Sequence, residues 1–425
     1  MKVTQARQSR VLAAALAGIA LLAITVILPS EAWLQALNGS EDSSFLQAAG
    51  VGPGGAMVLF LPCKIDGFWS NFRQVIPSLY LARKFNLAYV GQELFYKFQD
   101  NGHVSGVLGP QDIFDIIDRD HLERFTATAT QEEFWGNVTA KSAAPDQFKY
   151  AAIANGVRCE GSLTRSNMER NSVRWLRRHK ISKDQVLANK VRSKASQWEL
   201  LRNASFEPPG SRFVLSATPR FDNMLKDYIT PPLFRTIQDV PEFWRASFEM
   251  VRFAKPIREL QQRAKHLLGI APDEPFIAVH IRRGATFAIG RKSGQATTQE
   301  VADAIIRAIA CVGSQVRTIF LSTLPKFLEK DTKALQEFFP NHTIATLGHH
   351  VPWDAVRNGL SAKNETAIRA SVEMQFWLEA NAFVGSRSTM SAMVELLRLV
   401  HGSGDVCNRF AQKEWAEKTF NVQIP

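Results

Sequence analysis

Cysteine is scarce: four in 425 residues, Cys63, Cys159, Cys311 and Cys407, far apart and with no Cys-x-x-Cys pair. That spacing argues against a structural zinc site and leaves disulfides open, with Cys311 in a helical pattern where a buried thiol would serve equally. The one Gly-x-Gly-x-x-Gly match, Gly50–Gly55, precedes an apolar strand where a dinucleotide fingerprint follows one, and no Gly-x-x-x-x-Gly-Lys-Ser/Thr run occurs, so neither a dinucleotide fingerprint nor a P-loop supports nucleotide binding. Gly-x-Ser-x-Gly and His-Glu-x-x-His are missing too, which counts against a serine hydrolase and a zinc protease. Acidic residues are the minority, 40 against 51 Lys and Arg, for a net charge of +11. Such a balance favours acidic partners. Yet no zinc-finger spacing, RNA-recognition aromatic signature or basic zipper concentrates the charge, and nucleic acid is a poor fit.

What is present is a globular composition, 45% hydrophobic and 21% charged with 28 Phe, long enough for two domains. Lys2, Arg7 and Arg10 precede an uncharged apolar run from Val11 to Leu28, closed by Pro29. Eighteen residues at about 1.5 Å rise nearly match a bilayer core of about 30 Å. A cleavable signal peptide is the rival, but its apolar core is shorter and no small-x-small site closes this one. The reading is a signal anchor over 11–29, a cytosolic tail over 1–10 and a luminal remainder, because the positive charge lies on the N-terminal side. A single-pass type II protein of the Golgi or endoplasmic reticulum membrane is expected. Five glycosylation sequons, at Asn38, Asn137, Asn203, Asn341 and Asn364, suit a lumen.

Residues 30–55 are small and Gly-rich and read as a flexible stem. Met57 to Leu61 is an apolar strand, followed by a turn, a helix carrying Phe72, Val75, Ile76 and Leu79, and a strand from Leu87 to Val90. Asp112, Asp115 and Asp118 recur at helical spacing, predicting a solvated helix face over Asp112–Phe125. The Asp118-Arg119-Asp120 triplet could instead hold a manganese–diphosphate complex. The stretch from Arg158 to Arg202 is basic, read as a solvated helical surface or a field for an acidic partner. A helix from about Phe243 to Leu268 is expected to break near Pro256. Strands and helices then alternate to the end of the chain, which argues for a parallel sheet with right-handed crossovers. Two such α/β halves, 56–255 and 256–425, would set a ligand cleft between them.

Two places carry chemistry. Phe276 to Ile281 is apolar on both faces, a buried parallel strand, and His280, Ile281, Arg282, Arg283 and Gly284 form its carboxyl tip. Ligands of open α/β sheets bind at such tips, and Arg282, Arg283, Arg291 and Lys292 suit a phosphate or diphosphate. A basic surface loop after a core strand is the plain alternative. Ser386, Ser388 and Thr389 precede a helix with Met393, Val394 and Leu397 on its buried stripe. Free backbone N–H groups at that helix start, with the hydroxyls and Arg387, make a phosphate cradle, though an ordinary cap needs only one hydroxyl.

With these residues in view the chain resembles the GDP-fucose-dependent fucosyltransferases, the protein O-fucosyltransferases and their α1,6 and α1,2 relatives. Ala278–Arg283 is similar to that family's His-x-Arg tip. Asn381–Thr389 is similar to its GDP-binding segment, and Asp66–Asn71 to its N-terminal Gly-x-x-Asn donor loop. Weaker echoes lie at Ile117–His121 and Val251–Pro256. The resemblance implies two Rossmann-like domains facing across a cleft (GT-B type) and inverting, metal-independent transfer from GDP-fucose, with no cofactor beyond the donor. It implies that Arg282 binds the β-phosphate, with Arg283 as a second donor or support. His280, Ser386, Ser388 and Thr389 would then line the diphosphate, Gly67 and Asn71 would contact the donor, and Glu373 would pair with guanine N–H groups. Asp66, directly before Gly67, is the candidate base for the acceptor hydroxyl. Two departures stand out: Gly284 follows the double arginine where relatives carry an acid, and Phe68 and Trp69 crowd the donor loop. They leave open a protein or glycan acceptor, another nucleotide-sugar donor on the same fold, and a non-catalytic membrane-anchored binding protein on the same scaffold.

Overall fold

The computed structural model describes residues 56–61, 68–100, 103–135, 201–202, 206, 211–216, 242–282, 296–357, 365–386, 388–402, 407 and 409–410. The apolar run 11–28, the stem, the basic stretch 158–200 and the sequons at Asn38, Asn137, Asn203 and Asn364 lie outside them. Asn341 is described and exposed. Among the described residues no helix is long and apolar enough to cross a membrane.

Strand β1 (Met57–Leu61) leads to helix α1 (Phe68–Lys84) and strand β2 (Ala88–Val90). Phe72, Val75, Ile76 and Leu79 are all fully buried, so the predicted helical stripe is the face α1 packs on the core. The helix ends in a left-handed reversal at Asn86, φ 50°, where Leu87 N–H reaches Ala82 O at 2.9 Å and Asn86 N–H reaches Arg83 O at 3.1 Å. An antiparallel hairpin, β3 (Glu93–Asp100) with β4 (His103–Asp112), follows.

Next come a 3₁₀ turn (Ile113–Asp115), α2 (Arg119–Leu122), β5 (Thr128–Ala129), α3 (Gln131–Trp135) and β6 (Arg212–Ser216). The single helix expected over 112–125 is therefore a strand end, a turn and a four-residue helix. The aspartates explain the difference, since short carboxylates compete for backbone N–H groups and favour caps over helix interiors. Asp112 accepts from Phe114 N–H at 2.9 Å, and Asp118 accepts from His121 N–H at 3.2 Å. Asp118 also pairs with Arg258 at 2.8 Å; burial works against its charge, but those bonds hold the carboxyl below its usual range.

The first sheet has the order β5-β2-β1-β6, parallel throughout. Helices α4 (Glu242–Glu249) and α5 (Lys255–Leu267) follow. The predicted break is real but falls earlier, over Met250–Ala254, and Pro256 opens α5 instead of ending a helix. That strap pairs Phe253 with Ile117, and Ala254 N–H donates to Ile116 O at 2.8 Å.

The rest alternates as the periodicity predicts: β7 (Phe276–His280), α6 (Thr298–Val312), β8 (Thr318–Ser322), α7 (Pro325–Phe338) and β9 (Thr343–Ala345). After α8 (Trp353–Arg357) and α9 (Glu365–Glu379) come β10 (Ala382–Gly385), α10 (Thr389–Val400) and β11 (Arg409–Phe410). The second sheet has the order β11-β10-β7-β8-β9, again parallel. Its two faces take alternate residues: Phe276, Ala278, Phe320 and Phe383 join a core shared with α1, α4, α5, α9 and α10, while Ile277, Val279, Ile319 and Leu321 pack on α6. Cys311 at the end of α6 is disulfide-bonded to Cys407 beside β11, so this thiol is not the buried free one its helical setting allowed. Residues 52–425 form one compact unit holding both sheets.

Candidate active site at the switch point of the second sheet

The chain lays β7, β8 and β9 in one direction, then returns to place β10 on the other side of β7. Connections from the carboxyl ends of β7 and β10 therefore diverge, which opens the crevice where doubly wound sheets bind ligands. The backbone N–H of Arg282, just past β7, donates to Ser386 Oγ, just past β10, at 2.7 Å. Ile281 N–H donates to Ser322 O at 2.9 Å, prolonging β7 beside β8. Arg282 thus leaves the sheet from a backbone fixed on both sides.

Beneath it lies a hydroxyl cluster. Ser388 caps α10, accepting from Ser391 N–H at 3.0 Å. Ser391, fully buried, accepts at its Oγ from Ser386 N–H at 3.2 Å and from the Ser388 hydroxyl at 3.1 Å. Its Oγ also bonds to His280 Nδ1, 2.9 Å away, which ties the imidazole into the cluster. The His280 ring is 6% exposed and lies against Trp377, with centroids 5.0 Å apart. Burial, and then the neighbouring Arg282, push its pKa down to about 3, so it is neutral at physiological pH. His280 is a neutral internal support under the Arg282 backbone. Arg282 brings a cation to the chain just past β7, next to the residues that open α10, and a helix N-terminus with a nearby cation suits an anion.

A second polar group lies under the tips of β8 and β9. Arg369, Glu373 and Trp377 follow at four-residue steps on one face of α9. Arg369 Nε donates to Glu373 Oε1 at 3.3 Å and its Nη2 to Leu347 O at 3.0 Å. Trp377 Nε1 donates to Ser322 Oγ at 3.2 Å, and the Ser322 hydroxyl bonds to the Glu373 carboxylate. Burial raises the Glu373 pKa, while Arg369 and Ser322 pull it back down. The result is an oriented carboxylate with acceptor capacity left for N–H donors.

Of the residues singled out from sequence, His280, Arg282, Ser386 and Ser388 meet in one hydrogen-bonded corner, and Glu373 connects to it through Ser322 and Trp377. Thr389 is the first residue of α10 and Asn71 falls in the first turn of α1, both with side chains outside the described set. Asp66, Gly67, Arg283, Arg291, Lys292 and Arg387 lie outside the described residues. Sequence reasoning missed Ser391, Trp377, Ser322 and Arg369. Only Ser388-x-x-Ser391, a cap residue and its third-position partner, carried a readable signal. Among the described residues no group of three or more His, Cys, Asp or Glu side chains stands ready for a metal, and the Asp118 carboxylate is committed to its cap and to Arg258.

No protein-family model and no curated protein matches the sequence. Solved structures do match. The crystal structure of POFUT1 in complex with GDP is 13% identical at a TM-score of 0.54, over 85% of this chain and 99% of that one. POFUT1 in complex with GDP-fucose is also 13% identical, at 0.53, over 85% and 98%. NodZ α-1,6-fucosyltransferase, soaked with GDP-fucose, matches at 0.40 with 14% identity, over 80% and 92%. The chain shares the α/β fold, with parallel sheets, of the POFUT1 structures.

Proposed function

We propose that this chain is a glycosyltransferase that moves fucose from GDP-fucose to a hydroxyl of a protein or glycan, with inversion and without a metal or other cofactor. The observation that carries the reading is the Arg282 backbone held by Ser386 at the switch point, over the N-terminus of α10. The fold shared with POFUT1, which has been crystallised with GDP and with GDP-fucose, supports it.

In this reading the Arg282 guanidinium and the first turn of α10 hold the diphosphate, and a fixed cation stabilises the charge that grows as the C1–O bond to the β-phosphate breaks. The acceptor oxygen bonds to C1 from the opposite face, and its proton passes to Asp66. Gly67 and Asn71 approach the donor from the N-terminal half, and Arg283, Ser388 and Thr389 complete the diphosphate contacts. Glu373 accepts from the guanine N–H groups. The N-terminal half (56–255) serves the acceptor and the C-terminal half (256–425) the donor. An N-terminal anchor places the enzyme in the Golgi or endoplasmic reticulum membrane, facing the lumen.

Thermal-shift titration with GDP, GDP-fucose, UDP and CMP tests the donor. Only a nucleotide that binds the folded chain raises its melting temperature. Stabilisation by the guanine nucleotides alone is expected, and equal shifts with UDP would overturn the reading. Arg282→Ala should lower kcat by 100-fold or more, the scale of a lost charge-stabilising donor, with an unchanged melting temperature. Activity that depended on added manganese would refute the metal-independent mechanism.

A further inference from the structure

Gly348, just beyond β9, adopts φ +94°, and a Cβ placed there would lie 2.8 Å from Arg369 Nη2. The tip it belongs to is a tight loop: Gly348 N–H donates to Val351 O at 2.8 Å, and Leu347 bridges Val351. Arg369 reaches this loop with Nη2, on Leu347 O at 3.0 Å, and Glu373 with Nε, at 3.3 Å. Two N–H groups of one planar guanidinium thus tie the end of β9 to a carboxylate on α9. A lysine ammonium lacks that planar fork and does not reproduce its fixed geometry. At this φ a residue with a side chain is strained, and its Cβ would have to displace the end of Arg369.

We infer that Arg369 is a positioning residue for base recognition: packed under Gly348, it aims the Glu373 carboxylate and thereby sets the preference for guanine over purines lacking the 2-amino group. The inference rests on the donor reading above. A carboxylate selects guanine by accepting from two adjacent N–H donors, an arrangement that needs a fixed plane and a full negative charge. Arg369 supplies both, fixing one oxygen and opposing the burial that favours the neutral acid. A site built around such a pair rejects a base that lacks one donor, because its buried acceptor is left unmatched.

The test compares GDP with inosine diphosphate, which lacks the 2-amino group, on the purified full-length chain. Wild type should bind GDP about tenfold or more tightly than inosine diphosphate, the scale of one hydrogen bond to a charged group. In Arg369→Lys the GDP affinity should fall by about tenfold with inosine diphosphate almost unaffected, so the preference collapses. The KM for GDP-fucose should rise accordingly while kcat changes by no more than about twofold. Gly348→Ala, which pushes the guanidinium from the opposite side, should reproduce that selective loss; melting curves matching wild type confirm that both variants are folded.

A preference retained in both variants, or an equal loss for both nucleotides, overturns the inference. Glu373→Gln separates the two levels of argument. If it too leaves the preference intact, the placement of guanine on Glu373 fails; if it abolishes the preference while Arg369→Lys does not, only the role of Arg369 fails. Wild type that binds neither nucleotide overturns the donor reading and this inference with it.

Discussion

His280 provides a sharp test, because its neutral state is enforced by the fold. In the unfolded chain an imidazole titrates near 6.5, whereas in the folded chain burial and Arg282 lower the pKa to about 3. Below pH 6.5 the unfolded state therefore takes up a proton that the folded state refuses, and stability falls as pH drops through the window from 6.5 to about 3. Between about pH 7.5 and about pH 5 the loss from this residue is about 2 kcal/mol, since one pH unit is worth about 1.4 kcal/mol. The figure is the same for any folded pKa below about 4, so it does not depend on the depth of the shift. His280→Asn removes the titration and keeps an amide that can bond to the Ser391 hydroxyl in either direction. Urea unfolding of both proteins at the two pH values, followed by tryptophan fluorescence, isolates the residue because the carboxylates contribute equally to each. Wild type should lose about 2 kcal/mol more than the variant on acidification. Parallel losses would refute the neutral, buried imidazole.

Ser391→Ala leaves the Ser386 N–H, the Ser388 hydroxyl and His280 Nδ1 without their shared partner. It should cost about 2 kcal/mol in urea unfolding and weaken GDP binding; unchanged values would show the hub to be dispensable. The fully buried Arg398 donates through Nη1 to the carbonyls of Trp377, Leu378 and Ala380, at 2.8, 3.0 and 2.6 Å, and so closes the C-terminal end of α9. Arg398→Met should destabilise by about 3 kcal/mol or more, measured by the same unfolding, because three acceptors, two of them buried, lose this donor at once. The Cys311–Cys407 bond closes a loop with a sequence separation of 96, so the double serine variant should lose about 4 to 5 kcal/mol on chain-entropy grounds. An unfolding midpoint insensitive to both reductant and substitution would count against it.

The alternation of the second half was legible because its strands are buried on both faces and its helices carry their apolar residues at regular spacing. The predicted strand Phe276–Ile281 differs from β7 by one residue, and the predicted helix Gln299–Cys311 sits inside α6. Periodicity failed where the backbone takes its partners from polar side chains. The aspartates at 112, 115 and 118 mimic a helical stripe, yet two of them are caps, which the same spacing cannot reveal. Pro256 misled in the other direction. A proline is compatible with the first turn of a helix, so it marked the start of α5 and not the break, which falls over the five residues Met250–Ala254, where the strap pairs with Ile116 and Ile117.

The site shows the same division at closer range. Arg282 and Ser386 could be named because each follows an apolar strand, and strand ends are where parallel sheets expose their backbone to ligands. Ser322 and Trp377 could not, since they meet 55 residues apart, and Arg369 and Ser391 each add to a local partner a contact far along the chain, with Leu347 O and His280, that only the fold supplies. Trp377 illustrates why they matter. Its ring lies against His280, and its indole N–H fixes Ser322, which in turn bonds to Glu373. One stiff, fully buried side chain therefore stands between the support of the Arg282 corner and the support of the Glu373 carboxylate. Loops alone would let those two groups drift independently. A shared tryptophan makes their separation a property of the core, and a ligand with an anion at one end and a hydrogen-bonding base at the other needs that separation fixed before it binds.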